Sequence, residues 1–407
     1  MDMVAAHYEA YFNVKKHGGC RLPVSGTRTS GLKRIPDYMK RTLRYFFSAL
    51  LILAGLVLSQ RLEAQKYSNE FLSIGVGARA QAMGNAVVAS VEDVTAATWN
   101  PAGLSAMDMN GGLQVGAMHA EWFAGIGKFD YLGAVIPFSN NRRRLGISLI
   151  RFGIDEIPNT LSLYESDGSI NFDNVSEFSA ADYAFLLSYG QALRVKKGEL
   201  YVGGNIKVVH RRIGPFANSW GFGVDLAGQY RRGRWRFGAM LQDITTTFNA
   251  WSFSFTDQEK EVLDLTGNEV PINSVEITKP KLLLGVAHRF RFNKVGLLPE
   301  LDFLISTDGQ RNTLLSGDPF SVDLAFGLEA DYNEFVYLRA GVNQFQQETD
   351  FDNRETLTMR PSLGVGFRLG SLRIDYAFTD LGDSRQTYSH VISLILGIRP
   401  KQTRAQP

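Results

Sequence analysis

At 407 residues with a formal net charge of +2, the chain is long enough for two or three soluble domains or one large β-barrel, and it lacks the basic excess of a nucleic-acid binder. It has 40 Gly, 27 Phe and 15 Tyr at a mean hydropathy of -0.10, which favours many two-faced strands over a helical domain. The single cysteine, Cys20, precedes an export-type segment, so the expected mature chain has no disulfide framework, thiolate chemistry or Cys-ligated metal.

In chain order, the first feature is "MKRTLRYFFSALLILAGLVLSQRLEAQ" from Met39. Lys40, Arg41 and Arg44 precede an apolar run, Phe46 to Leu58, and Leu62-Glu63-Ala64 supplies a cleavage site before Gln65. The apolar run falls short of the roughly 20 residues that a spanning helix needs, which makes 39–64 a signal peptide. Residues 1–38 then read as an overlong leader, or as translation from a start placed too far upstream of Met39. No Cys follows the run, so no lipoprotein anchor is expected.

Residues 65–110 are Ala- and Gly-rich, and within them 91–107 is too apolar for a loop and lacks strict alternation. They include "GVGARAQAMGNAVVAS" and "VEDVTAATWNPAGL". Pro101 biases Asn100 to extended geometry, and the Asn100 side chain can close an Asx turn.

From residue 111 onward, period-2 alternation recurs. In "SVDLAFGLEADY" (321–332), Val322, Leu324, Phe326 and Leu328 share one face, and Asp323, Ala325, Gly327 and Glu329 the other. "SLRIDYAFTD", "GRWRFGAMLQ" and "EFVYLRAGVN" repeat the pattern. Fourteen such segments occur, near 111–120, 126–137, 145–153, 182–190, 199–211, 219–230, 233–243, 281–290, 298–306, 321–332, 335–343, 361–369, 371–380 and 389–399. They run to about ten residues against the five or six of soluble strands, and their number is even. Short connections (138–144, 191–198, 231–232, 291–297, 333–334, 370) mostly alternate with long ones (154–181, 244–280, 307–320, 344–360, 381–388). That parity is expected of periplasmic turns and external loops, whereas a soluble sandwich has no reason to sort loops this way.

The fold expected is therefore all-β: a 14-stranded antiparallel transmembrane barrel over 111–400, a tail at 401–407, and outer-membrane lipid around it. Such a barrel is wide enough for 65–110 to fold back into the lumen as a plug. Charge sorts with the connections. Arg142, Arg143, Arg144, Lys196, Lys197, Arg231, Arg232, Arg291 and Lys294 mark the short turns. Asp155, Glu156, Glu165, Asp167, Asp173 and Glu177 give 154–181 six acids and no Lys or Arg. Exposed loops are polar in any case, but an acidic outer rim also suits a basic partner or divalent cations.

"GARAQAMGNAVVAS…DVTAATWNPAGL" resembles the N-terminal signature of the PorV/PorQ family, within the FadL-like fourteen-stranded outer-membrane proteins. The resemblance covers about residues 66–106. It implies a plugged barrel in a Gram-negative outer membrane with Gly75, Gly77, Arg79, Gly84, Asn85, Trp99, Asn100, Pro101 and Gly103 as its plug motif. For the PorV branch it implies a role in type IX secretion, with secretion components or secreted cargo as partners. For the FadL branch it implies passage of hydrophobic small molecules. Tyr67-Ser68-Asn69-Glu70-Phe71-Leu72 ahead of Gly75 fits the secretion branch better. The final strand departs from barrel habit by running into "KQTRAQP" without a terminal aromatic.

Enzymatic readings fare poorly. "GVGARA" lacks the strand–helix setting of a dinucleotide site, His119, His210, His288 and His390 lack metal spacing, and no nucleophile elbow occurs. The expectation is a non-enzymatic protein with no cofactor. The inward positions legible here (Asp225, Asp302, Asp323, Glu329, Arg339, Arg373, Asp375) are charged, which suits a greasy channel poorly.

Overall fold

The structure is a computed structural model that describes residues 68–107, 112–122, 125–138, 142–163, 165, 169–349, 355–380 and 388–398. The expected leader (1–38), signal peptide (39–64) and tail (401–407) lie outside the described residues, as does Asp167.

Alternating apolar and polar residues put every strand between lipid and lumen, and fourteen of them close. The strands are β1 Leu113–Trp122, β2 Gly127–Phe138, β3 Arg143–Asn159, β4 Ser176–Leu193, β5 Glu199–Ile213 and β6 Ala217–Arg232. Next come β7 in two runs, Trp235–Gln242 and Thr247–Phe253, and β8 in three, Ser274–Thr278, Lys281–His288 and Phe290–Phe292. β9 Val295–Ser306, β10 Ser321–Tyr332, β11 Val336–Thr349, β12 Glu355–Leu369, β13 Leu372–Asp380 and β14 Tyr388–Ile398 complete the set. Neighbours pair antiparallel, and β14 returns to β1 from Leu113↔Ile398 to Glu121↔His390. Closure leaves no edge strand, which is what allows a sheet to sit in hydrocarbon.

The outer face is a belt of exposed apolar side chains: Leu132 is 60% exposed, Ile147 66% and Leu363 61%. Exposure on that scale, strand after strand, is tolerable only against lipid. Aromatic residues rim the belt, with Trp235 edge-on to His288 at 4.5 Å and Trp220 at 4.2 Å from His210.

The strands outrun the sequence-based bounds at the long-loop end. β3 and β4 stay paired out to Asn159↔Ser176, and the outer runs of β7 and β8 pair from Thr247↔Thr278 to Trp251↔Ser274. The expected loops 154–181 and 244–280 thus shorten to 160–175 and 254–273, because hairpin pairing satisfies backbone groups beyond the membrane as well as within it. A helix, Asp257–Leu265, caps the second extension and is closed at its start by a reciprocal Thr256–Glu259 capping box.

The break in β7 turns a side chain inward. Asp243 and Thr246 take positive φ, and Asp243 meets Lys207 at 2.6 Å, while Lys207 also bonds Asp225 at 2.9 Å. The Lys207 side chain is 2% exposed, so a cation buried this deeply has two carboxylates to hold it.

Residues 68–107 lie against the inward faces of the strands, most of them buried. Wall glycines are the seats. A Cβ on Gly341 would fall 2.1 Å from the Gly84 amide nitrogen, one on Gly238 2.3 Å from the Val88 carbonyl, and one on Gly203 2.5 Å from the Pro101 carbonyl carbon. We predict that Gly341→Val leaves a heat-modifiable barrel but unseats this segment, with an overpacking cost of about 1–3 kcal/mol. Limited proteolysis with peptide mapping reads the result: new cleavage within 68–107 is expected, and unchanged protection would contradict the seating argument.

Candidate functional site

The inner segment is mostly irregular, with only short turns of helix at Ala78–Ala82 and Ala96–Trp99 and tight turns at Glu70–Ser73 and Pro101–Ala106. Most of its residues are buried, and their backbone groups need partners inside the barrel. Inward side chains of distant strands supply them. Asp302 accepts from the Val87 and Val88 amides at 2.8 and 2.9 Å, and Glu300 from those of Ala89 and Ser90 at 2.7 and 3.2 Å. Ser393 and Ser362 accept from Ala78 and Gly84 at 2.7 and 3.1 Å, and Gln114 from Val94 at 2.7 Å. In the other direction, Asn205 donates to the Ala97 carbonyl at 2.7 Å and Gln229 to those of Val88 and Val91.

The nine motif residues fall into two groups. Gly75, at φ 100, leaves the space that Asn85 and Trp99 occupy, a Cβ there lying 2.8 and 2.9 Å from them. Asn85 and Gly84 both take left-handed backbone, and Gly77, at φ 98, sits against Thr95. Trp99 Nε1 donates to the Val76 carbonyl at 2.7 Å, tying the two halves of the segment together. Arg79 reaches the wall at Glu329, 2.8 Å away. In the second group, Asn100 is extended at φ -168 and its Oδ1 accepts from Ala102 N at 3.2 Å, the turn that Asn-Pro dictates. Its Nδ2 donates to the carbonyls of Val88 at 2.9 Å and Gly228 at 3.1 Å. A Cβ on Gly103 would lie 2.3 Å from the Val91 carbonyl, so only glycine fits there.

The acidic rim residues are less concentrated than the sequence suggested. Asp155 and Glu156 stand on β3 and Glu177 on β4, not in the loop. Asp155 is paired with Lys128 at 2.9 Å, and Glu165 accepts from Asn171 and Asn174 at 2.9 and 3.0 Å. Asp173 and Glu177 are exposed.

Two features were invisible in the sequence. The first is a cavity of about 520 Å³ between the inner segment and β8–β12. Leu72, Val76, Val88 and Trp99 line it from the segment, Leu283 and Leu304 from the wall. Segment and strands both supply apolar lining, Phe303 and Leu324 included, and the strands add Lys281, Asp302 and Asp323. The second is a seam beside that cavity. β10 pairs with β11 only from Phe326↔Val342 inward, while β11 bulges between Asn343 and Gln346 with Gln344 at φ 50. Leu315–Ser316 of the 307–320 loop covers Val322 and Ser321. Among the described residues, Asp323–Ala325 then have no strand partner on the β11 side. In the loop, Arg311 and Asp308 form a close pair. Burial alone would push the Asp308 carboxyl up, but the Arg311 guanidinium outweighs it and holds the group below the ordinary carboxylate range.

The Asn100 amide joins its own turn, the preceding turn and β6, so removing it leaves the Ala102 amide unsatisfied and takes a donor from the Val88 and Gly228 carbonyls, the first of which keeps Gln229. Asn100→Ala should cost about 2 kcal/mol or more through those unsatisfied groups. Hydrogen exchange by mass spectrometry should show faster exchange across 86–104 with the strand amides unchanged; uniform exchange rates in the two proteins would contradict this.

Residues 60–260 match the family model described as type IX secretion system protein PorV. No curated protein matches the chain. Among solved structures, the chain is similar to the Ralstonia pickettii toluene transporter TbuX, at 15% identity, 80% of this chain, 99% of that one and TM-score 0.48. It is also similar to the CymD monoaromatic hydrocarbon channel at 14%, 80%, 98% and 0.49, and to the P. putida toluene transporter TodX at 13%, 80%, 99% and 0.47. The closed barrel with its lipid-facing belt is a Gram-negative outer-membrane protein, and just under half of its chain is similar to the PorV family.

Proposed function

We propose that the protein is a non-enzymatic component of the type IX secretion system, binding or handing on translocon or cargo proteins at the outer membrane. The observation that carries this reading is the family match over 60–260. The external end supports it. Phe172 is 76% exposed, Leu265 78% and Ile272 80%, and all three lie in connections beyond the paired strands rather than on the lipid belt. The extensions are braced for such a role: Phe178 of β4 packs edge-on to Phe216 at 5.2 Å, and Phe216 stacks on Phe255 at 5.6 Å. On this reading 68–107 is a plug that keeps the lumen closed while partners engage outside.

The test is affinity purification of the tagged full chain from outer membranes in mild detergent, with mass spectrometry of co-purifying proteins. Secretion components or secreted cargo should be recovered, and replacing 256–270 by a short Gly-Ser linker should cut recovery several-fold without changing barrel assembly. A lone barrel in both preparations would defeat the proposal.

The 520 Å³ cavity beside the seam favours a second reading, a channel for hydrophobic small molecules that enter or leave through the wall. That reading expects an apolar molecule to co-purify in the lumen. It also expects Leu304→Gln to remove that molecule while leaving protein partners bound, which native mass spectrometry distinguishes.

A further inference from the structure

At the short-turn end, a second cavity of about 410 Å³ is lined by seven arginines and four carboxylates. Two more carboxylates stand behind them: Asp331 bonds Arg289 and Arg291 at 2.6 and 3.1 Å, and Asp375 bonds Arg339 and Arg373 at 2.8 and 2.7 Å. Arg231 joins from the side, on Glu92 at 2.8 Å. With Glu300, which interacts with Arg79 and Arg236, eight guanidinium groups face seven carboxylates, a surplus of positive charge in a largely protein-enclosed space.

The surplus is localised. Among the described residues Arg236 has one direct ion pair, with Glu92 at 3.5 Å, which it shares with Arg231, and Glu300 acts on it from farther off. Arg339 is 1% exposed at its side chain, yet its Nη2 has no hydrogen-bond partner. Arg368 is exposed at the end of β12 and has the Tyr337 hydroxyl beside it. An ion-pair network that only tied the inner segment to the wall would balance, because uncompensated buried charge is costly. Here it does not balance, and both Arg339 Nη2 and Arg231 Nε are left without a hydrogen-bond acceptor.

We propose that this cavity binds a phosphate group, either free phosphate or a phosphomonoester on a lipid headgroup, taken up from the periplasmic side. A phosphate group is anionic at neutral pH, the sign that a surplus of guanidinium groups calls for. The guanidinium fork accepts its oxygens two at a time, as a lysine cluster would not. The mouth lies at the periplasmic end, since Glu334 of the β10–β11 turn and Arg291 near the end of β8 both line the cavity. The proposal is independent of the secretion reading.

Isothermal titration of the full chain in non-ionic detergent tests it, with inorganic phosphate and dihexanoyl phosphatidic acid as probes. One saturable site is expected, weakened about tenfold by Arg236→Gln and by Arg368→Gln, with Lys260→Gln on the external helix as an unaffected control. Arg368 is exposed, so its variant tests binding even if Arg236→Gln assembles poorly. Phosphate affinity should rise from pH 5 to pH 7.5, as the ligand passes its second ionisation near about 6. Tighter binding of the lipid would identify a headgroup site, and tighter binding of inorganic phosphate a soluble-anion site. No saturable binding of either probe, or affinities unchanged in both arginine variants, would overturn the proposal.

Discussion

An irregular segment buried inside a β-barrel has backbone amides and carbonyls that neither helix nor sheet satisfies, and inside a membrane protein no bulk water is available to satisfy them. That requirement organises the inner wall. Asp302 and Glu300 each accept from two consecutive amides of 87–90, while Asn205 and Gln229 donate to its carbonyls. The strands themselves pair without any of these side chains. Their polar faces are spent on the segment they enclose, and the glycines between them set how closely it can approach.

The same demand explains where charge collects. Where segment and wall meet through backbone, single carboxylates and amides suffice. Where they meet through side chains, as at Arg79 with Glu329 and Arg373 with Asp93, the wall responds with a network through Arg339 and Asp375. That network ends at the periplasmic mouth with more cations than anions. At the opposite end the lining is mixed, apolar side chains standing beside Lys281, Asp302, Arg311 and Asp323, so the segment divides the enclosed space into a basic compartment and a partly apolar one.

Outside the membrane the constraint is reversed, because water can satisfy backbone and strands extend only as far as pairing and packing reward it. β3–β4 and β7–β8 extend, held by the Phe178–Phe216–Phe255 ladder, whereas β10 and β11 part company at Gln344. One side of the barrel is therefore raised into a braced platform, and another is left with a short unpaired stretch of wall.

By itself the sequence determined the period-2 faces, the fourteen strands, the parity of their connections and the Asn100-Pro101 turn. Each of these is a local consequence of side-chain alternation or of proline geometry. It also disclosed which inward positions are charged, since Glu329, Arg339 and Asp375 stand out in otherwise alternating runs. Only the tertiary structure decided which of those charges meet, because Arg79 finds Glu329 across 250 residues through register and closure. It also placed Asp155, Glu156 and Glu177 on strands, and it turned Asp243 inward at the break in β7. The two cavities belong to the same category: each is bounded by residues from the segment and from several strands, so alternation within any one strand could not have shown it.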